Sequence, residues 1–241
     1  MEMNRRDLFS SLALTALSAS AQTPESTAPP ASLYIPKAQL VEDRTFLQDF
    51  MDEFAFTDLI TTSPDLRVTH IPVLLDRSAA EYGTIHGHIS HQNDQTKAFD
   101  GKQEALIVFH GPQGYISPAW YQNHAAVPTW NFSVVHATGK LTPVTDPDAL
   151  HAFLARLIQK FENYQGTDYD FSKLRDSYVR PMLTGIVGFE MRIERLEGKF
   201  KLGQDRSQGD RQGILQHLRT ARKERSLYEM TEAFYKLKAV G

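Results

Sequence analysis

Two stretches of this chain hold residue types that could do chemistry. In the first, Gly83 to Asn93 (GTIHGHISHQN), residues Gly83 to Ile89 alternate strictly, so Thr84, His86 and His88 share one face and Ile85, Gly87 and Ile89 the other. A polar corner follows with Ser90, His91, Asn93 and Lys97. Such side chains, together with the free amides at a helix start, can donate to a phosphate or another anion. The second stretch, Glu104 to Gly139, holds both tryptophans, Trp120 and Trp130, with Tyr115, Tyr121 and Phe132. Large rings between two strand-like runs make either a surface that receives something flat or a cover over the end of a sheet.

Other chemistries find less support. A His-x-His pair on a strand opens a cupin-type metal site, which also wants a carboxylate soon after and a third histidine on a later strand. The next acids, Asp94 and Asp100, fall in a helix-like turn, and nothing in the spacing requires His110 or His136 as ligands. No metal is assigned. Ser117 lacks the flanking glycines of a nucleophile elbow. No Gly-x-Gly-x-x-Gly follows a strand and opens a helix. Cysteine is absent, which excludes disulfides, thiolate nucleophiles and Cys-ligated metals. What the residues permit is a flat cofactor on a barrel surface, with 67–97 supplying the polar end and 115–132 the aromatic cover.

The elements that must position these groups read as short strands with a few helices. Asp43 can cap a helix that carries Phe46, Leu47, Phe50 and Met51 on one side. Phe56 to Thr62 and Arg67 to Leu75 read as strands around a Ser63-Pro64-Asp65 turn, the second with an edge or a bulge at Pro72. Asp94 to Phe99 reads as a helix-like turn, and Ala105 to Phe109 and Thr129 to Thr138 as strands. Asp146-Pro147 opens an amphipathic helix through Phe161. A polar, tyrosine-rich segment leads to a strand, Gly185 to Leu196, with Glu190, Arg192 and Glu194 on one face. Helices near Gln208–Leu218 and Glu224–Lys238 finish the chain, with Arg219, Arg222, Lys223 and Arg225 at their junction. About seven short strands plus helices give a mainly β, α+β class: a small barrel with peripheral and C-terminal helices.

With 41% hydrophobic and 23% charged residues in 241, the chain can bury a real core. Its formal net charge of −3 and single small basic cluster make nucleic acid a poor partner. Residues 1–21 have the pattern of a signal peptide. Arg5 and Arg6 precede an apolar run too short for a stable membrane anchor, and Ala19-Ser20-Ala21 fits a cleavage site. The arginine pair resembles a twin-arginine export signal. The expectation is therefore an exported, periplasmic protein, with cytoplasmic residence as the alternative. Residues 22–32 read as a Pro/Ser/Thr-rich linker, and 33–241 as one domain with a C-terminal helical extension.

Several segments then carry a resemblance: LYIPK (33–37), THIPVLLD (69–76), GTIHGHIS (83–90), ALIVFHGPQGYISPAWY (105–121), VPTWNFSVVHATG (127–139), GIVGFEMRIERLEGKFKLGQDRS (185–207) and DRQGI (210–214). In these motifs and their order the chain resembles the PaiB family of FMN-binding split-barrel proteins. The resemblance implies a split β-barrel that dimerises and binds FMN at the subunit interface. It implies phosphate and ribityl contacts from Thr69, His70, His88, Ser90, His91 and Asn93, with Lys97 as a further donor. Trp130 and Asn131 would approach the flavin from the other subunit.

Three departures from the family pattern stand out. His91 to Thr96 replaces an arginine-led Arg-Ala-Asn-Pro-Gln-Trp run, Gln113 replaces a histidine, and Gly203-Gln204-Asp205 replaces Ser-Gln-Asn. Losing a permanently charged forked donor at the first of these implies a weaker phosphate grip or the use of Lys97.

The family is usually labelled a negative transcriptional regulator. Together with the leader, the motifs favour an exported FMN-dependent oxidoreductase or flavin-binding protein, its substrate and redox partner unnamed. A cytoplasmic FMN-binding regulator is the alternative. A haem-binding or haem-degrading split barrel is the third reading.

Overall fold

Residues 31–122, 124, 126–220 and 225–238 are described by the structure, a computed structural model. The leader, most of the linker, and Arg222 and Lys223 of the basic cluster lie outside the described residues. Eight strands form one sheet: β1 Leu40–Val41, β2 Phe56–Thr61, β3 Arg67–Pro72, β4 Leu74–Asp76, β5 Thr84–Ser90, β6 Glu104–Ile116, β7 Thr129–Val144 and β8 Ile186–Lys201. Their order is β3-β2-β6-β7-β8-β5-β4, with β1 paired to β8. The helices are α1 Arg44–Glu53, α2 Pro147–Gln165, α3 Asp176–Leu183, α4 Gln208–Thr220 and α5 Arg225–Lys238. None of the helices among the described residues is long and apolar enough to cross a membrane.

The chain groups into two compact units. One takes the described residues up to Glu53, His110–Val135 and those from Glu197 onward; the other takes Phe54–Phe109 and His136–Leu196. In the first, the Asp43 carboxylate accepts from the Phe46 amide at 3.0 Å and starts α1. The apolar positions of α1 follow the helical period, so Phe46 and Phe50 fall on one side, and both rings meet Phe200 at 5.2 Å. Phe200 in turn stacks on Phe234 of α5. Phe50 and Phe200 are fully buried, each worth about 2–3 kcal/mol against exposure. The strand β1 was not expected, and it pairs Leu40 with Lys199 and Val41 with Gly198.

In the second unit β2 pairs with β3 and with β6, and β5 with both β4 and β8, all antiparallel. Gly87 has no side chain because the Phe189 ring occupies that space: a Cβ there would lie 2.5 Å from it. Asp146 caps α2 at the Ala149 amide, 2.9 Å, with Pro147 in the first turn, as the sequence indicates. Gly166, at φ 68°, ends α2 in the left-handed conformation. Leu150 of α2 packs with Val179 and Leu183 of α3, and Leu74 packs with Phe153 and Leu157.

Four sequence expectations change. The run Arg67 to Leu75 is two strands, not one: Pro72 ends β3, Val73 bonds to Ala55, and β4 pairs with β5 instead. The proline cannot donate to a ladder, so the break falls where a donor is missing. Gly111 to Ile116 belongs to β6 and not to the aromatic loop. The strand passes so close to its neighbours that a Cβ on Gly111 would meet Ser133 Oγ at 2.3 Å and Phe50 at 2.6 Å. The helix α3 lies in the segment read only as polar, held by Val179 and Leu183 one turn apart. Finally, β8 runs on to Lys201, and its inside-outside alternation slips by one residue around Arg195 to Glu197.

Candidate functional site

The polar corner between β5 and β6 is built by a network with Gln95 at its centre. Gln95 is fully buried; its Nε2 donates to Leu59 O at 3.0 Å and Thr61 Oγ1 at 3.2 Å on β2. Thr69 of β3 donates to Gln95 Oε1 at 2.5 Å and accepts from Asn93 Nδ2 at 2.9 Å. Asn93 Oδ1 also accepts from the Gln95 amide, which caps the 3-10 turn Asp94–Ala98. Thr69 and Asn93 are therefore brought together, but much of their hydrogen-bonding capacity is spent within the protein. They hold the corner rather than leave it free.

The charge at this corner comes from two strands of sequence. Asp94 takes Lys97 Nζ at 2.7 Å and Arg67 at 3.6 Å, and Arg67 also reaches Asp65 at 3.7 Å. Lys97 and, less, Arg67 keep the exposed Asp94 carboxyl below its ordinary range. Two cations and two carboxylates thus meet at this corner, and Arg67 Nε is buried with no hydrogen-bond partner. The sequence reading missed both Arg67 and Gln95. Arg67 lies in no motif, Gln95 stands in the run that departs from the family pattern, and it meets Arg67 O, 28 residues away, only once β3 folds back on β2.

The remaining candidates scatter. Ser90 ends β5 and His91 opens the turn after it, both exposed; Ser90 Oγ accepts from the Gln92 amide at 3.3 Å, and the His91 amide donates to Gly185 O at 2.9 Å. The Ser90 hydroxyl proton and the His91 ring remain available to an anion. His70 adjoins Thr69 but alternates to the other face of β3, where its Nδ1 meets the Asp58 carboxylate. His88 packs edge-on against Phe153 at 5.7 Å; its Nδ1 is buried without a partner, and burial lowers its pKa. Among the described residues no group of three or more His, Asp or Glu could hold a metal ion.

Trp130 and Asn131 belong to the other compact unit. They are neighbours on β7 and so point to opposite faces. Trp130 is 53% exposed and meets Tyr115 edge-on at 6.3 Å, whereas Asn131 is 1% exposed with neither side-chain polar atom bonded. The rings expected as a cover divide likewise. Trp120 stacks on His217 of α4 at 5.2 Å, and Tyr121 is buried beneath Arg206 at 4.8 Å. Close approach is possible because Gly213 has no Cβ, which would lie 2.0 Å from Trp120 O. Tyr115 and Trp130 alone of these rings keep a wide exposed face, and Thr129 beside them accepts from Lys201 at 2.7 Å.

Chemically, then, Arg67 and Lys97 are cationic donors on one turn of the second unit, and Tyr115 and Trp130 are exposed rings of the first. Known proteins resemble the chain in sequence and in fold. The family model described as "Putative FMN-binding domain" matches residues 33–195. The Bacillus subtilis protein named protease synthase and sporulation protein PAI 2 is 31% identical over 187 residues, covering 77% of this chain and 89% of its own. Among solved structures, the FAD and heme binding protein from Mycobacterium smegmatis superposes with a TM-score of 0.53 at 15% identity, over 71% of this chain and 78% of that one. The flavocytochrome Anf3 from Azotobacter vinelandii gives 0.50 at 13%, over 67% and 69%. At such identities these structures speak for the fold alone, a split β-barrel with added helices. Family model, relative and fold agree: the chain belongs to the FMN-binding split-barrel family of the PaiB type.

Proposed function

We propose that this protein binds FMN, as a homodimer, and serves as an exported flavin-dependent oxidoreductase or flavin-binding protein. The observation that carries the reading is the pair of cations, Arg67 and Lys97, converging on a turn whose backbone is locked by the Asn93–Thr69–Gln95 network. That donor set fits a phosphate monoester. Arg67, from β3, takes the part of the arginine missing at His91, and the ribityl phosphate would displace Asp94 from one or both cations. Ser90 and His91 are further donors, and Trp130 would approach the flavin from the other subunit of the dimer. Bound FMN supplies electron and hydride chemistry at its own ring, so the protein's part is orientation and access and no acid–base residue is demanded. The arginine pair at Arg5 and Arg6 supports export.

The test is the absorption spectrum of protein recovered from its native compartment, followed by titration of stripped protein with FMN. A flavin spectrum, or saturable FMN uptake, is expected. A colourless protein that takes up no FMN overturns the proposal, and a Soret band gained with haem in its place would favour the haem reading. Fusing residues 1–32 to a folded reporter tests export. Cytoplasmic retention that is indifferent to Arg5→Lys and Arg6→Lys would restore the regulator reading.

A further inference from the structure

Where α2 crosses β5 and β8 the second unit has a groove that shares no residue with the polar corner; its volume is about 110 Å3 and its mouth is open to solvent. Its wall on α2 is Ala149, Ala152 and Arg156, spaced by three and four residues and so on one helix face, where the two alanines leave the mouth open. Val144 and Phe153 make the apolar part. Three polar groups remain. The Arg156 guanidinium makes no hydrogen bond or ion pair among the described residues, although Asp76 and His86 feel its charge. Glu190 on β8 is 52% exposed and faces His86 Nδ1 at 3.6 Å, beyond hydrogen-bond reach. Burial lowers the His86 pKa, and the nearby Glu190 opposes that shift.

A cation and an anion thus stand around one apolar groove, and neither is hydrogen-bonded to an opposite charge within the protein. We propose that this groove binds a small zwitterion, an α-amino acid with an apolar side chain. Arg156 takes the carboxylate as a forked donor, Glu190 takes the ammonium, and the side chain lies against Val144 and Phe153. A simple anion meets repulsion from Glu190 and a simple cation from Arg156. An uncharged apolar molecule leaves both charges unmatched.

Calorimetric titration of the full chain with L-leucine near neutral pH tests this. The controls are 4-methylpentanoate, which lacks the amino group, and 3-methylbutylamine, which lacks the carboxylate. Saturable one-site binding of L-leucine is expected, with each control weaker by about tenfold or more. Arg156→Gln and Glu190→Gln should each weaken it about fivefold, and Ala152→Leu should close the groove and abolish it. All three positions are exposed, so circular dichroism of the variants should match that of the parent. The proposal is overturned by no saturable binding of L-leucine up to about 20 mM. Binding that either control equals, or that all three substitutions leave untouched, also overturns it.

Discussion

The Asn93 side chain donates to the Thr69 hydroxyl at 2.9 Å, joining the turn after β5 to strand β3 across 24 residues of sequence. That hydroxyl donates onward to Gln95, so the turn is held from beneath by buried hydrogen bonds instead of by its own backbone alone. A turn fixed in this way can present charge without moving when an anion arrives, which lowers the ordering cost of binding.

Gln95 is the residue on which this depends. Gln95→Leu removes donors from Leu59 O and Thr61 Oγ1 and an acceptor from Thr69, at a site with no access to water. A loss of about 2–4 kcal/mol is expected, because buried partners are left unsatisfied. Urea unfolding should show a lower midpoint with an unchanged slope, and FMN affinity should fall with it.

Arg67→Ala and Lys97→Ala should act differently. Lys97 is exposed, so its loss should barely change stability, whereas Arg67 is only partly exposed with its Nε buried, so its loss should cost somewhat more. FMN affinity should fall about tenfold for each, and more steeply with added salt in the parent than in either variant. Quenching of flavin fluorescence on titration measures this. Retained affinity in the double variant would place the phosphate elsewhere.

Stability should also depend on pH through two imidazoles. Burial lowers the pKa of His86 and His88 below the ordinary value of 6.5. Between the lowered folded value and 6.5 the unfolded chain binds more protons than the folded one, so stability is full above 6.5 and declines as pH falls below it. Urea midpoints measured from neutral pH downward should decrease. His88→Gln should flatten that slope while leaving the contribution of His86.

Two glycines separate space from conformation. A Cβ on Gly139 would lie 2.2 Å from the Arg192 carbonyl oxygen, which is backbone and cannot swing aside. Gly139→Ala should cost about 3 kcal/mol or prevent folding. Gly166 has open space around it but φ 68°, so Gly166→Ala should cost only about 1 kcal/mol. Thermal midpoints of the two variants, compared directly, would test the contrast.

Local patterns in the sequence carried the helices with caps and the strands with alternation. Asp43 before Phe46 and Asp146 before Ala149 announced α1 and α2, since a cap is a contact three residues long. The GTIHGHIS run announced β5 and its two faces. Motif order also sufficed for the family, because a family match needs no contact to be known. The lengths of β6 and β8, the break at Pro72 and the helix α3 were not legible. A strand with glycine or proline persists only when its neighbours fill the missing contacts, as Phe50 and Ser133 do at Gly111.

The candidate site divides the same way. The sequence by itself determined the polar types at Ser90 to Lys97, the aromatic types at Tyr115 to Trp130, and the alternation that sets Trp130 and Asn131 on opposite faces. Only the tertiary structure decided that Arg67 shares Asp94 with Lys97, that Gln95 is the hub beneath them, that Trp120 faces α4 and that Tyr121 lies under Arg206. Residue type and spacing are local quantities. Which charge compensates which, and which ring stays exposed, depends on pairs that only strand pairing and helix packing bring within a few ångströms.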